Sequence, residues 1–202
     1  MFKRYSQFSG GTCDPLVIHW PKGIKAKGEV RHQYHHCTDI VPTILEACGV
    51  PMPEVIDGVT QAPLAGVSMV YSFDDAGAPT TKETQYFEML GTRGIWSKGW
   101  KASALHAPVP SDQGHFDKDR WQLFHTDEDR SEARDLAAEQ PDKLKDLVDL
   151  WMVEAKKNNV LPLVDLGVAA MHAAEYHAPM RDRYVYYPGT TEVPEASSAP
   201  TL

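Results

Sequence analysis

The sequence lacks most features that announce a complete catalyst or a secreted scaffold. Among its 202 residues are three cysteines, Cys13, Cys37 and Cys48, too few and odd in number for a disulfide framework. They are expected to be buried free thiols. No apolar run approaches the roughly 18–20 residues that a membrane-spanning helix needs. After Met1-Phe-Lys-Arg comes Tyr-Ser-Gln-Phe-Ser rather than the apolar core of a secretory signal, which for a piece of a longer chain says nothing about its location. Positive charge is also short. Twenty Lys and Arg against 28 Asp and Glu leave a formal net charge of −8, so no nucleic-acid partner is expected, because no basic patch is present to neutralise phosphates. The single cationic cluster, Lys22, Lys25 and Lys27, reads as a solvated loop. There is no phosphate-binding glycine loop, no GxSxG elbow, no HExxH and no CxxC pair.

What is present resembles an ordinary soluble domain, 42% hydrophobic and 24% charged, long enough for one large unit or two small ones. Residues 14–20, DPLVIHW, are apolar without alternation between Pro15 and Pro21, which predicts a strand in a sheet covered on both faces. PKGIKAKGE then reads as an exposed turn. Val41, Ile44, Leu45 and Cys48 recur at helical spacing. Asp39 is the expected N-cap, Pro42 falls in the first turn, and Gly49 and Pro51 form the stop. Residues 51–83 carry little periodicity and predict a long connection with one short helical turn.

From residue 84 the texture changes. TQYFEML, RGIWSKGWKASAL and WQLFHT predict a small antiparallel sheet over 84–126, with a turn at Ser97-Lys98-Gly99 and a polar loop at 106–120. Leu144, Leu147, Val148, Trp151 and Ala155 make one apolar stripe after Pro141, so a helix over about 141–157 should lie across that sheet. Beyond Pro162 the pattern weakens into a Pro/Ser/Ala-rich tail.

Three groups could carry chemistry. His32, His35, His36 and Cys37 are the densest potential metal ligands, although adjacent His35 and His36 point apart on any regular element, and a structural role is the simpler reading. His106 and His115 sit in the polar loop, where a substrate contact is a candidate role. Lys3 precedes a Gly10-Gly11 turn and an apolar strand. A lysine there could meet an anion at the rim of a sheet, or simply be solvated.

Four stretches together resemble one family, the type I sulfatases of the alkaline phosphatase superfamily, most closely bacterial arylsulfatases. Lys3…Gly10-Gly11…Pro15-Leu-Val-Ile-His-Trp-Pro21 is similar to the family's lysine, Glu-Gly-Gly and apolar strand ending in Trp-Pro. Thr38-Asp-Ile-Val-Pro-Thr-Ile-Leu45 with Ala47-Cys-Gly-Val50 resembles its Asp-x-x-Pro-Thr-Leu-Leu…Ala-Gly-Val helix. Arg93-Gly-Ile…Gly99-Trp-Lys101 resembles a family hairpin. Trp121-Gln-Leu-Phe…Asp127-Glu-Asp-Arg-Ser-Glu132…Asp135-Leu-Ala resembles Trp-x-Leu-Tyr-Asp-Leu…Asp-Pro-x-Glu…Asn-Leu-Ala. They follow the family's order over residues 3–160. Departures mark a divergent subgroup: Ser9 stands for the family's Glu, its Arg after the glycines is replaced near Cys13, and Asp129-Arg130 stands for Asp-Pro.

The resemblance implies an α/β fold: residues 1–70 as the end of the large alkaline-phosphatase-like mixed sheet domain, 71–160 as a small C-terminal antiparallel sheet packed on a long helix, and 161–202 as an extension or linker. It implies hydrolysis of a small-molecule sulfate ester, with Lys3 (or Arg4, one residue on) as a sulfate-binding cation. The family's formylglycine arises from the Cys or Ser of a Cys-x-Pro-x-Arg motif, and no cysteine here has that context. Its Ca2+ ligands, an Asp-Asp pair and a later Asp-Asn pair, lie upstream of the matched region, and Asp74-Asp75 falls out of order. The chain is thus expected to partner the N-terminal remainder of a sulfatase domain, to be inactive alone and to expose apolar surface. The competing expectation is a non-catalytic module on a sulfatase scaffold.

Overall fold

The computed structural model describes residues 7–107, 114–163 and 165. A helical turn, α1 (Ser9–Thr12), opens it. A 3-10 turn at Cys37–Asp39 leads into α2 (Ile40–Cys48). A two-residue hairpin, β1 (Val55–Ile56) and β2 (Val59–Thr60), follows, then a 3-10 turn at Val70–Ser72. The strands β3 (Thr84–Met89), β4 (Thr92–Ser97), β5 (Trp100–Ala104) and β6 (Trp121–His125) form a four-stranded antiparallel sheet in sequential order. The long helix α3 (Pro141–Lys157) ends the regular structure.

The sheet has two inner faces. On one, Ile95, Ala102 and Leu123 stand in register across β4, β5 and β6 and pack under Leu147, Trp151 and Ala155 of α3. The α3 stripe spacing is that of a single helix face, and Pro141 at the start forfeits an N–H that no helical turn could satisfy. Trp151 also donates its indole N–H to the Phe87 carbonyl at 3.0 Å. On the opposite face, Trp96, Lys101 and Phe124 are register partners in a row. Residues 7–12 and Tyr34 cover them: Phe8 meets Phe124 edge-on at 5.9 Å and Tyr34 stacks on Trp96 at 3.7 Å. The β4–β5 turn takes Lys98 and Gly99 through positive φ, the mirror-image turn that matches strand twist. The β6 edge is closed by Asp135, whose Oδ1 accepts the Leu123 and Ala137 amides.

Several expectations need correction. Residues 14–20 form no strand among the described residues. Leu16 and Val17 are 55% and 89% exposed. An apolar run states only that burial is wanted; a strand also needs a neighbour's N–H and C=O groups, and no described segment offers them. The thiols are likewise exposed, not buried, because Cys48 lies on the outer side of α2 and Cys13 and Cys37 in short connections. The α2 helix is present, with Gly49 in the left-handed conformation at its end, but Val41 and Ile44 of its apolar face are open. Asp39 stands at its N-cap position as expected, but its side chain makes no capping bond there. His36 caps the preceding 3-10 turn and Asp39 answers with a bond from the His36 amide at 2.8 Å. The 51–83 connection contains the β1–β2 hairpin as well as a helical turn, and its Asp57-Gly58 tip was a readable signal.

Candidate functional site

Lys3, the cation the sequence singles out, lies outside the described residues, as does Arg4. The first described residues after it are firmly held. The Ser103 hydroxyl donates to the Gln7 carbonyl at 3.4 Å. Gly94 leaves room for Gln7: a Cβ on that glycine would sit 2.9 Å from the Gln7 Cβ. The Ser9 amide donates to Glu132 Oε2 at 2.6 Å, and Lys101 Nζ donates to Thr12 Oγ1 at 3.2 Å. Lys101 and Glu132 form a buried ion pair at 2.8 Å, their side chains 4% and 3% exposed. Burial pushes the Lys101 ammonium below the ordinary lysine range, and Glu132 opposes that shift. Burial likewise raises the Tyr34 phenol, with Asp39 adding to the effect.

A second buried pair lies under α2. Asp39 is fully buried and accepts Lys82 Nζ at 2.8 Å, the Val67 amide at 3.0 Å and the His36 amide. Burial alone would raise its pKa, but the Lys82 bond and the two amides outweigh that and hold it below the usual carboxylate value. Of the dense ligand group, His35 Nδ1 stands 3.7 Å from Asp39 and His36 Nδ1 accepts the Thr38 amide, so the pair serves the turn before α2. Sequence reasoning missed Lys101, Glu132 and Lys82. Their partners are 31 and 43 positions away, and no local pattern links them.

The loop histidines part company. His106 is fully buried. Its Nδ1 lies 2.9 Å from Asp119 Oδ2 and its Nε2 2.9 Å from Asp165 Oδ1, while Phe116 stacks on its ring at 3.9 Å. Arg93 also pairs with Asp119. Gly91, at φ +84, gives the imidazole its space, since a Cβ there would come within 2.5 Å of the His106 ring. The imidazole therefore fixes residues 116–119 against the sheet. His115 is about half-exposed on the same loop, with its Nδ1 3.6 Å from Asp117 Oδ1.

No group of three or more His, Cys, Asp or Glu capable of holding a metal ion occurs among the described residues. Calcium takes six to eight oxygens, whereas Asp39, Glu132 and Asp119 each face a Lys or Arg. These residues do not fit a Ca2+ site. Asp74 and Asp75 serve backbone amides of Lys25 and Gly77.

Residues 2–90 match the family described as N-sulphoglucosamine sulphohydrolase, C-terminal. An uncharacterized sulfatase of Schizosaccharomyces pombe is 29% identical over 163 residues, 79% of this chain and 28% of that protein. An ulvan-active sulfatase of Formosa agariphila is 44% identical over 92 residues, 45% of this chain and 18% of that protein. Arylsulfatase K of Danio rerio is 29% identical over 151 residues, 72% and 26% of the two chains. The chain thus spans 18% to 28% of the length of these relatives. Among solved structures, a Bacteroides thetaiotaomicron protein (BT33336S-sulf), from a locus for the metabolism of multiple glycosaminoglycans, superposes with TM-score 0.55 at 20% identity. That match covers 77% of this chain and 31% of the other. BT4656, solved with its substrate D-glucosamine-2-N,6-O-disulfate, gives 0.51 at 22%, covering 73% and 29%. No helix among the described residues is long and apolar enough to cross a membrane.

Proposed function

We propose that this chain corresponds to the C-terminal portion of a sulfatase, as its matches to that family suggest, and that it completes a sulfuric ester hydrolase of the arylsulfatase kind. In this reading residues 1–70 end the large α/β domain, 71–160 form the small subdomain beside it, and 161–202 are an extension. Hydrolysis of a sulfate ester builds negative charge on the sulfuryl oxygens, and a nearby cation lowers that barrier. Lys3 supplies that cation, with Arg4 the adjacent alternative. A compact ammonium suits a group that presents equivalent oxygens rather than a planar fork. The loop at 106–120 borders the pocket: His106 sets its shape from below and His115 contacts the group that carries the sulfate.

The formylglycine and the calcium ligands of the family belong to residues outside this chain, so the chain's own contribution is binding and positioning. The substrate is a small-molecule sulfate ester; no step here uses nucleic acid or a membrane.

One observation carries the reading. Among the described residues, all the large apolar side chains that stand exposed, except Met89, Met152 and Val153, fall between residues 16 and 64. Monomeric proteins seldom leave so much apolar surface in one region; it is the surface a large sheet domain would cover. The test compares the purified 202-residue chain with the same chain joined to a sulfatase domain that carries Cys-x-Pro-x-Arg and the calcium ligands of its family. The chain alone should bind a hydrophobic dye and release no sulfate from an aryl sulfate; the joined protein should lose the dye binding and turn over. Turnover by the chain alone, or dye binding that survives joining, would refute the proposal.

A further inference from the structure

The joint between the start of α2 and residues 66–69 is built on one buried ion pair, Asp39–Lys82, with side chains 0% and 3% exposed. Asp39 is fully engaged. Its Oδ2 accepts the His36 amide at 2.8 Å, and its Oδ1 accepts Lys82 Nζ at 2.8 Å and the Val67 amide at 3.0 Å. Packing there is tight: a Cβ on Gly66 would lie 2.0 Å from the Thr38 carbonyl oxygen, and the Met69 amide donates to Thr43 Oγ1 at 2.9 Å. Two imidazoles stand against this pair. His36 closes the 3-10 turn, its Nδ1 accepting the Thr38 amide at 3.3 Å, and its ring meets Phe87 of β3 edge-on at 5.5 Å. His35 lies beside Tyr71 at 5.8 Å. Its ring nitrogens are buried and have no hydrogen-bond partner among the described residues; Nδ1 stands 3.7 Å from Asp39 Oδ2, beyond hydrogen-bond reach. The charged and titratable groups facing the two rings are Asp39, Lys82 and the Cys37 thiol, whose sulfur is 3.7 Å from both His36 nitrogens.

We propose that His35 and His36 make this joint an acid-sensitive switch: protonating either imidazole sets a second cation beside Lys82, and protonating His36 also removes the acceptor that holds Thr38, so the turn opens and α2 parts from residues 66–69. A neutral imidazole keeps one nitrogen as an acceptor, whereas an imidazolium has donors only. Asp39 cannot simply absorb the new charge, because its oxygens already serve a lysine and two amides. The new cation also stands at the N-terminal end of α2, where the helix dipole disfavours it. Burial lowers the His36 pKa below its ordinary 6.5, and Lys82 adds to that. Burial lowers the His35 value too, by more than Asp39 opposes. The folded chain therefore binds these protons more weakly than the unfolded chain does. The stabilisation is fully present above about pH 6.5 and is lost as pH falls through the lowered folded values. Asp39 itself protonates only below its ordinary 3.8, so the two acid responses are separate. On the reading above, α2 lies in the surface that the large domain covers, and opening the joint loosens that contact.

Hydrogen exchange of the 202-residue chain, corrected for its intrinsic pH dependence, is compared at about pH 7.5 and about pH 5.5, either side of the ordinary histidine value. Protection of the amides in residues 37–48 should fall roughly tenfold or more on acidification while β4 and β5 keep theirs. His35→Gln with His36→Asn supplies side chains that do not titrate, and asparagine is a good N-cap. That double variant should hold its protection at both pH values. Equal protection of residues 37–48 in the native chain at the two pH values would overturn the switch, as would a loss in the double variant that matches the native one. Should the variant fail to fold, NMR titration of the native histidine rings decides: His35 and His36 should protonate below pH 6.5, in step with the loss of protection. Protonation of both at or above that value would overturn the inference. Exchange needs no turnover, so it decides the switch whether or not the sulfatase reading holds.

Discussion

At Asp39, a carboxylate with no exposure sits among Lys82 and two backbone amides, and its pKa is held below the ordinary value of 3.8. The folded state therefore binds its proton more weakly than the unfolded state does. The stabilisation is fully present above about pH 4 and is lost as pH falls through the lowered folded value. Unfolding followed by urea between pH 7 and pH 3 should show this loss in the native chain. Asp39→Asn should have a shallower acid slope and, at pH 7, be destabilised by about 3–5 kcal/mol, because Lys82 is left buried without its charge partner. An unchanged urea midpoint at pH 7 would contradict this account of the site. Single residues were the least legible part of the sequence. Asp39 read as a helix cap because its position before α2 is a local fact; its pairing with a lysine 43 positions on is not. The polar flanks of His106 suggested an open loop, while three-dimensional packing encloses it between Asp119, Asp165 and Phe116.

At the scale of elements, α3 and the four-stranded sheet were legible because their signals are short-range. A helix face repeats every three or four residues, and a Lys98-Gly99 turn imposes its own geometry. The energetics follow the same stripe. Trp151→Ala should destabilise the chain by about 3–5 kcal/mol, since it empties a fully buried site and removes the bond to Phe87. Val153→Ser, two positions on and exposed, should change stability by less than about 0.5 kcal/mol. Thermal or urea unfolding of the two variants separates these cases, and comparable losses would mean that α3 does not pack as described. Residues 14–20 show the limit. Their hydrophobicity is evident in the sequence, but the partner strand that would turn it into structure is not among the described residues. The same holds for the open face of α2.

At the scale of the molecule, the chain divides by surface character rather than by compactness. The sheet and α3 bury their own apolar residues, whereas residues 16–64 leave most of theirs outside. Two buried ion pairs, Asp39–Lys82 and Lys101–Glu132, tie the regions together, the first under α2 and the second through α1. Such an arrangement suits a module built to close a larger α/β domain. The order of the four family-like stretches pointed to the likeness with sulfatases, while the cation proposed to reach sulfate depends on a single position near the start. The most direct measurement is therefore steady-state hydrolysis of an aryl sulfate by the joined enzyme carrying Lys3→Ala, with Arg4→Ala beside it. The account predicts that Lys3→Ala lowers kcat/KM by about a hundredfold or more while Arg4→Ala stays within a few-fold of the native enzyme; native turnover in the Lys3→Ala enzyme would contradict it.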